Sequence, residues 1–106
     1  MNNSDAVKML LDPNSGPFVV GEKVFIRMTV YHCTGRIVGV KNYGDNYFLI
    51  LEDAAWIAKS GRFMNAIEGG PDMLDEVEPV SLPVRINIGT IQDVFCWDHP
   101  LPRDQK

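Results

Sequence analysis

The sequence predicts a mainly β domain: a small five-stranded barrel with a short N-terminal helix and a helical insertion. Three observations predict it. Residues 22–31, EKVFIRMTVY, alternate in character, with Val24, Ile26, Met28 and Val30 on one side and Phe25, Arg27, Thr29 and Tyr31 on the other, the period of a strand. Residues 34–57 then hold two apolar runs around a polar centre. Ile37, Val38 and Val40 precede Asn42–Asn46, and Phe48–Leu51 follow it, closed by Glu52 and Asp53. That is a hairpin whose loop is longer than the minimal two residues. Gly39 inside the first run marks a sharp bend, as small barrels need at their corners. Finally, Gly89 divides two more apolar runs, Val80–Ile88 and Thr90–Trp97, and fits a tight turn between them.

Each element follows in order. Ser4 to Leu11 reads as the N-terminal helix, with Ser4 as its cap and Val7, Leu10 and Leu11 at i, i+3, i+4 as one apolar stripe. Asp12-Pro13 stops it. So short a helix must dock on something, here one end of the barrel. Residues 14–21 form a Pro/Gly-rich connection. The strand of 22–31 has a partly aromatic second face, which a neighbouring subunit or the helix would cover. From Ala54 the character changes. Ser60 suits an N-cap, Phe63 and Ile67 form an i, i+4 pair, and Gly69-Gly70 ends the segment. A helical insertion over 61–68 is expected, then an acidic loop, PDMLDEVE. Pro79 and Pro83 place the next strand at an edge or a bend. The tail, residues 98–106, has two prolines and mixed charge and reads as an extended contact arm. The whole is one domain: helix and linker in 1–21, three strands in 22–54, insertion and acidic loop in 55–78, two strands in 79–97, then the tail.

Composition bounds the function. With 106 residues, 45% hydrophobic and 23% charged, the chain is an ordinary globular domain. A domain of this size buries only about two-thirds of its unfolded surface, and oligomerisation adds to a modest core. The net charge of −4 and the scattered Lys and Arg argue against duplex DNA as a partner. No apolar run approaches the ~20 residues of a membrane span. No export signal is expected at the N-terminus, so the two cysteines read as reduced thiols in a cytoplasm.

Helix, five short strands and a bent second strand are the element order of the Sm-like barrels, relatives of the SH3-type barrels. Residues 35–54, GRIVGVKNYGDNYFLILEDA, resemble that family's first motif, and residues 84–94, VRINIGTIQDV, its second. The resemblance implies a small barrel that assembles in rings and binds RNA. The chain departs at the RNA site: Phe48 stands at the Asn position and Ile88 at the Arg position, with Asn46 and Asp45 out of register and only Gly89 kept. The chain is also similar to small proteins of tailed phages and prophages, through TVYHCTGRIVGV, LEDAAWIAKSGRF, DEVEP and HPLPRDQK. That likeness implies a viral origin and imports no activity.

No catalytic set, metal site or cofactor is expected. His32 and Cys33 are neighbours on a strand and face opposite ways, so they neither share a zinc ion with Cys96 and His99 nor form a thiol–imidazole pair. Glu52-Asp53 and Asp75-Glu76-Glu78 flank turns and helix starts, where solvated or capping acids are common. No Lys-Ser/Thr pair follows Gly69-Gly70 to make a phosphate loop. Six residues stand out for a ligand or an interface. Tyr43 with Lys41 on the hairpin turn, and Trp56 with Lys59 or Arg62, each set an aromatic ring beside a cation; Trp97 is the remaining anchor. The sequence therefore predicts a non-enzymatic, homo-oligomeric structural subunit that is a capsid or neck accessory of a virion and meets other virion proteins there. A sequestering protein that holds a small nucleotide between subunits is the alternative, and an RNA-binding ring the third reading.

Overall fold

A computed structural model describes residues 3–11, 16–29, 31–59 and 62–106. The elements are α1 (Asn3–Leu10), β1 (Lys23–Met28), β2 (His32–Tyr43), β3 (Asn46–Lys59), α2 (Phe63–Gly69), a 3-10 turn (Pro71–Met73), β4 (Asp75–Pro79), β5 (Val84–Asn87), a second 3-10 turn (Ile88–Thr90) and β6 (Ile91–Cys96). All six strands form one antiparallel sheet in the order β4-β3-β2-β1-β6, with β5 pairing β3 beside β4. The mainly β class is as predicted. The closed five-stranded barrel is not: among the described residues there are six strands, and no ladder joins β5 to β6. Asn87 is the reason. Its side chain accepts from the Gly89 amide at 2.9 Å and its carbonyl from the Thr90 hydroxyl at 2.7 Å. This turns the chain away from β5, and β6 lies along β1 instead.

Two bulges shape the long β2–β3 hairpin. Thr34 pairs with Ala55 but Arg36 with Glu52, which leaves one extra residue on β3; Asp53 there has φ 51°. Ile37 pairs with Leu51 but Gly39 with Ile50, which leaves Val38 extra on β2. Each bulge bends its strand and reverses which side chains face inward. The bend expected at Gly39 is therefore present. The loop is shorter than predicted: Tyr43 pairs with Asn46, so Gly44 and Asp45 alone make the turn, with Gly44 at φ 63°. Asn42 holds it by donating to the Asn46 carbonyl at 3.2 Å.

Strand β3 also runs on through Ala55, Trp56 and Ile57 to Lys59, beyond the expected end at residue 54. Glu52-Asp53 cap no helix. They mark the bulge, where Asp53 meets Arg36 at 2.8 Å and Arg103 at 3.4 Å. A sixth strand, β4, occupies the predicted acidic loop, with Val77 buried between exposed acids. The insertion helix forms over Phe63–Gly69 and ends as read, with Gly70 at φ 83° donating to the Ala66 carbonyl at 2.8 Å. The Ser60 cap and the Asp12-Pro13 stop lie outside the described residues, as does the side chain of Ser4.

The sheet buries apolar side chains on both faces. One cluster holds Val24, Ile26, Cys33, Ile37, Leu49, Leu51 and Ile86, with Val7, Leu10 and Leu11 of the N-terminal helix and its exit packed on it. The stripe predicted for that helix is thus the face it buries. Phe25, Ala55, Ile57, Ala66, Leu74, Val77 and Trp97 make the second cluster. Phe25 is therefore covered by α2, β4 and the start of the tail of its own chain, with no neighbouring subunit needed. No helix among the described residues is long and apolar enough to cross a membrane.

Candidate functional site

The sequence named six residues, and the structure separates them into three places. Trp97 belongs to the core. It is 1% exposed, stacked on Phe25 with ring centroids 5.6 Å apart, and its Nε1–H donates to the Pro100 carbonyl at 3.1 Å. It anchors the tail and offers no surface to a ligand. The cause is non-local: the Trp97 amide donates to the Lys23 carbonyl at 3.0 Å, which turns the ring onto Phe25.

Trp56 is exposed, 45% accessible, and its ring meets Tyr31 at 5.4 Å. It pairs with Cys33 and so shares the face of the first cluster, whereas α2, which Arg62 precedes, packs on the second. Lys59 pairs with Asp75 at the far end of β3, and its side chain is outside the description. Tyr43 and Lys41 sit at the other end of the hairpin. The strand from Cys33 to Tyr43 puts about 30 Å between Trp56 and Tyr43. The two aromatic–cation pairs are therefore separate sites.

At the hairpin end the sheet offers two clefts, one on each face. The first, about 470 Å³, lies between α1 (Ala6, Met9, Leu10), the hairpin turn (Asp45, Asn46, Tyr47) and the β5–β6 turn (Asn87, Ile88, Gly89). It unites the two turns named by the Sm-like motifs, and the Asn87 amide reaches the Asn46 side-chain oxygen at 3.5 Å. Its walls are mostly apolar, and Asp45 is the one acidic or basic side chain among its described lining residues. The second cleft, about 300 Å³, lies on the outer face between Val38, Lys41, Ile50, Pro83 and Arg85. Arg85 was not singled out in the sequence, because only the pairing Gly39–Ile50–Arg85 brings it beside β2.

The remaining candidate chemistry is held in structural roles. His32 meets Phe25 edge-on at 5.3 Å on one face, while Cys33 is fully buried on the other, as the alternation requires. Burial, and then the Arg27 guanidinium beside it, push the His32 pKa down. Arg27 is in turn bound to Asp93, its Nε–H donating at 2.8 Å. Burial raises the Cys33 thiol to about 12. Cys96 is exposed and donates to Glu22 at 3.2 Å; that bond, with lesser help from burial and the Glu22 and Asp98 charges, raises its pKa too. His99 faces the Ile67 carbonyl at 2.7 Å. Among the described residues, no three His, Cys, Asp or Glu side chains converge as a metal site would require.

The sheet edges differ. On β4, Val77 points its backbone outward, and both its N–H and C=O are bonded to Lys106 at 3.0 Å. Pro79 next to it has no N–H. On β6, the Trp97 amide bonds to Lys23, so Phe95 and Asp93 turn their backbone groups toward β1. By strand alternation Val94 and Cys96 turn theirs outward. The class defined by fold and site is thus a small antiparallel β domain with β4 capped, β5 and β6 each paired on one side only among the described residues, and two clefts at its hairpin end. Comparison with protein-family models, curated proteins and solved structures finds no match.

Proposed function

We propose that the chain is a non-enzymatic interaction subunit that self-assembles head to tail, the β6 edge of one copy pairing with the β5 edge of the next. The observation that carries the reading is the outward backbone of Val94 and Cys96 on β6, set against the capped edge of β4. An unpaired row of N–H and C=O groups is a template for another strand. β5 and β6 border different strands, β3 and β1, so the contact is heterologous and closes into a ring when the rotation permits. The strand order β6-β1-β2-β3-β5, with a one-turn link between β5 and β6, supports a barrel of the Sm-like type as the unit. The resemblance to small tailed-phage proteins supports a virion as its destination, as a capsid or neck accessory; its absence from purified virions by mass spectrometry would remove that part.

Native mass spectrometry combined with hydrogen exchange tests the assembly. The expected result is a single multiple of 11.9 kDa, with the Val94 and Cys96 amides protected in proportion to the oligomer present. A monomer at every concentration overturns the reading. So does an oligomer in which those two amides exchange freely, since its contact then lies elsewhere.

A further inference from the structure

We infer that the outer face of the hairpin, around the cleft between Lys41 and Arg85, binds a nucleoside phosphate. Four observations lead there. First, the chain is acidic at −4, and five of its ten Lys and Arg side chains are engaged. Arg27 is tied to Asp93, Arg36 to Glu52 and Asp53, Arg103 to Asp53, and Lys23 and Lys106 to backbone carbonyls. Lys41 and Arg85 both line this cleft, and neither pairs with a carboxylate among the described residues.

Second, the register converges them. Lys41 pairs with Phe48, and Arg85 with Ile50, two residues along the same strand and therefore on the same face. Their Cα atoms are then about 12 Å apart, two strand spacings across and two residues along. Side chains of that length meet over the middle, where a phosphate would accept from both, the Arg fork giving two parallel bonds.

Third, the floor is apolar and empty. Val38, Ile50 and Pro83 line it, and a Cβ built on Gly39 meets nothing within 4 Å. Fourth, Tyr43 lies two residues beyond Lys41 on the same face, 46% exposed, its ring braced at 79° against Phe48. A ring held in this way is a stacking platform for a base whose phosphate sits about 7 Å away along the strand. Two isolated cations on an acidic body suit one or two phosphates and not a long tract. The ligand is therefore a nucleotide, either free or as a unit of a single strand.

The test is an amide NMR titration of the intact chain, following Gly39, Lys41 and Ile50, with adenosine monophosphate, inorganic phosphate and a short oligothymidylate. The nucleotide is expected to bind more tightly than phosphate. Arg85→Gln and Lys41→Gln, both at exposed positions, are each expected to weaken it about tenfold or more. Tyr43→Leu is expected to weaken the nucleotide and leave phosphate unchanged. Gly39→Val, whose new side chain has open space and no positive φ, is expected to fill the cleft and abolish binding with the charges intact. Tighter, more salt-sensitive binding of the oligothymidylate assigns the site to a single strand; equal binding assigns it to the free nucleotide. The inference is overturned by an absence of shifts with all three probes, by binding that survives the Lys41→Gln/Arg85→Gln double variant, or by phosphate binding as tightly as the nucleotide.

Discussion

Replacing Trp97 decides whether this ring is core or contact surface. It is 1% exposed, stacks on Phe25, meets His99 edge-on at 5.0 Å and donates to the Pro100 carbonyl. Truncating a buried aromatic of this size costs about 3–5 kcal/mol, and each aromatic pair adds ~0.5–1.5 kcal/mol beyond its area. A domain of this kind has only about 5–15 kcal/mol in total. With a urea slope of ~2 kcal/mol/M, Trp97→Ala therefore lowers the unfolding midpoint by about 2 M. Trp97→Phe keeps the stack and loses the Nε1–H bond, leaving the Pro100 carbonyl unpaired, for ~1–2 kcal/mol. The assay is urea unfolding followed by circular dichroism, with fluorescence quenching as a second readout. Wild-type emission combines a shielded Trp97 with a Trp56 that is 45% exposed. In Trp97→Phe only Trp56 emits, and acrylamide quenches it fully. An unchanged midpoint in Trp97→Ala, together with a shielded fraction that survives in Trp97→Phe, would refute the core assignment and return Trp97 to the surface.

Three further outcomes are expected. The Thr34 hydroxyl is buried and has no partner among the described residues, so Thr34→Val, of the same shape, stabilises by ~1 kcal/mol and raises Tm by about 4–8 °C in calorimetry; a lower Tm means that the hydroxyl is bonded. A thiol reagent at about pH 8 labels Cys96 alone in the native state and both cysteines in denaturant, because Cys33 is buried and raised to about 12. Glu22→Ala speeds the Cys96 reaction by removing first the hydrogen bond and then the charge that hold its proton; two fast native thiols would contradict the fold. His32 has its folded pKa lowered from 6.5 by burial and then by Arg27. The unfolded chain therefore takes up the proton more readily. The His32 contribution to stability is full above the unfolded value and is lost as pH falls through about 6.5 toward the lowered one. The urea midpoint should drop between about pH 7.5 and pH 5.5, and less so in His32→Gln.

Local signals were readable where a single period held. The alternation of Val24, Ile26 and Met28 gave β1, and the stripe of Val7, Leu10 and Leu11 gave the buried face of α1. Gly69-Gly70 ended α2 as expected. The continuation of β3 was hidden by its bulge. Asp53 at φ 51° reverses the alternation, so LEDAAWI shows neither a period of two nor one of 3.6. With the bulge removed, Ala55 and Ile57 fall on one face and pack together. β4 carries one buried residue, Val77, too little for a pattern. Trp97 and Arg85 were misjudged or missed for another reason: their surroundings come from partners far away in the chain, Lys23 and Phe25 for the one, and Ile50 and Gly39 for the other. No window of local sequence holds that information.

The edges of the sheet are protected unequally. An open edge is a hazard, and proteins blunt it with charge, with proline or with a covering segment. β4 has all three: exposed Asp75, Glu76 and Glu78, Pro79, and the Lys106 backbone closing on Val77. Lys106 reinforces the cover by donating its ammonium to the Pro71 and Leu74 carbonyls at 3.0 and 3.2 Å. Among the described residues β6 has no comparable protection. Its one acid, Asp93, is turned to Arg27 on β1, and the tail that follows it travels away to cover β4. The same nine residues that follow Trp97 thus close one edge by leaving the other. If Lys106 is what keeps β4 from pairing, removing residues 103–106 gives the chain a further open edge. The expected outcome is larger and irregular assemblies in place of one defined oligomer, read by light scattering. A truncated chain of unchanged size would mean that the acids and Pro79 suffice to protect β4, and that the tail's contact with Val77 serves stability alone.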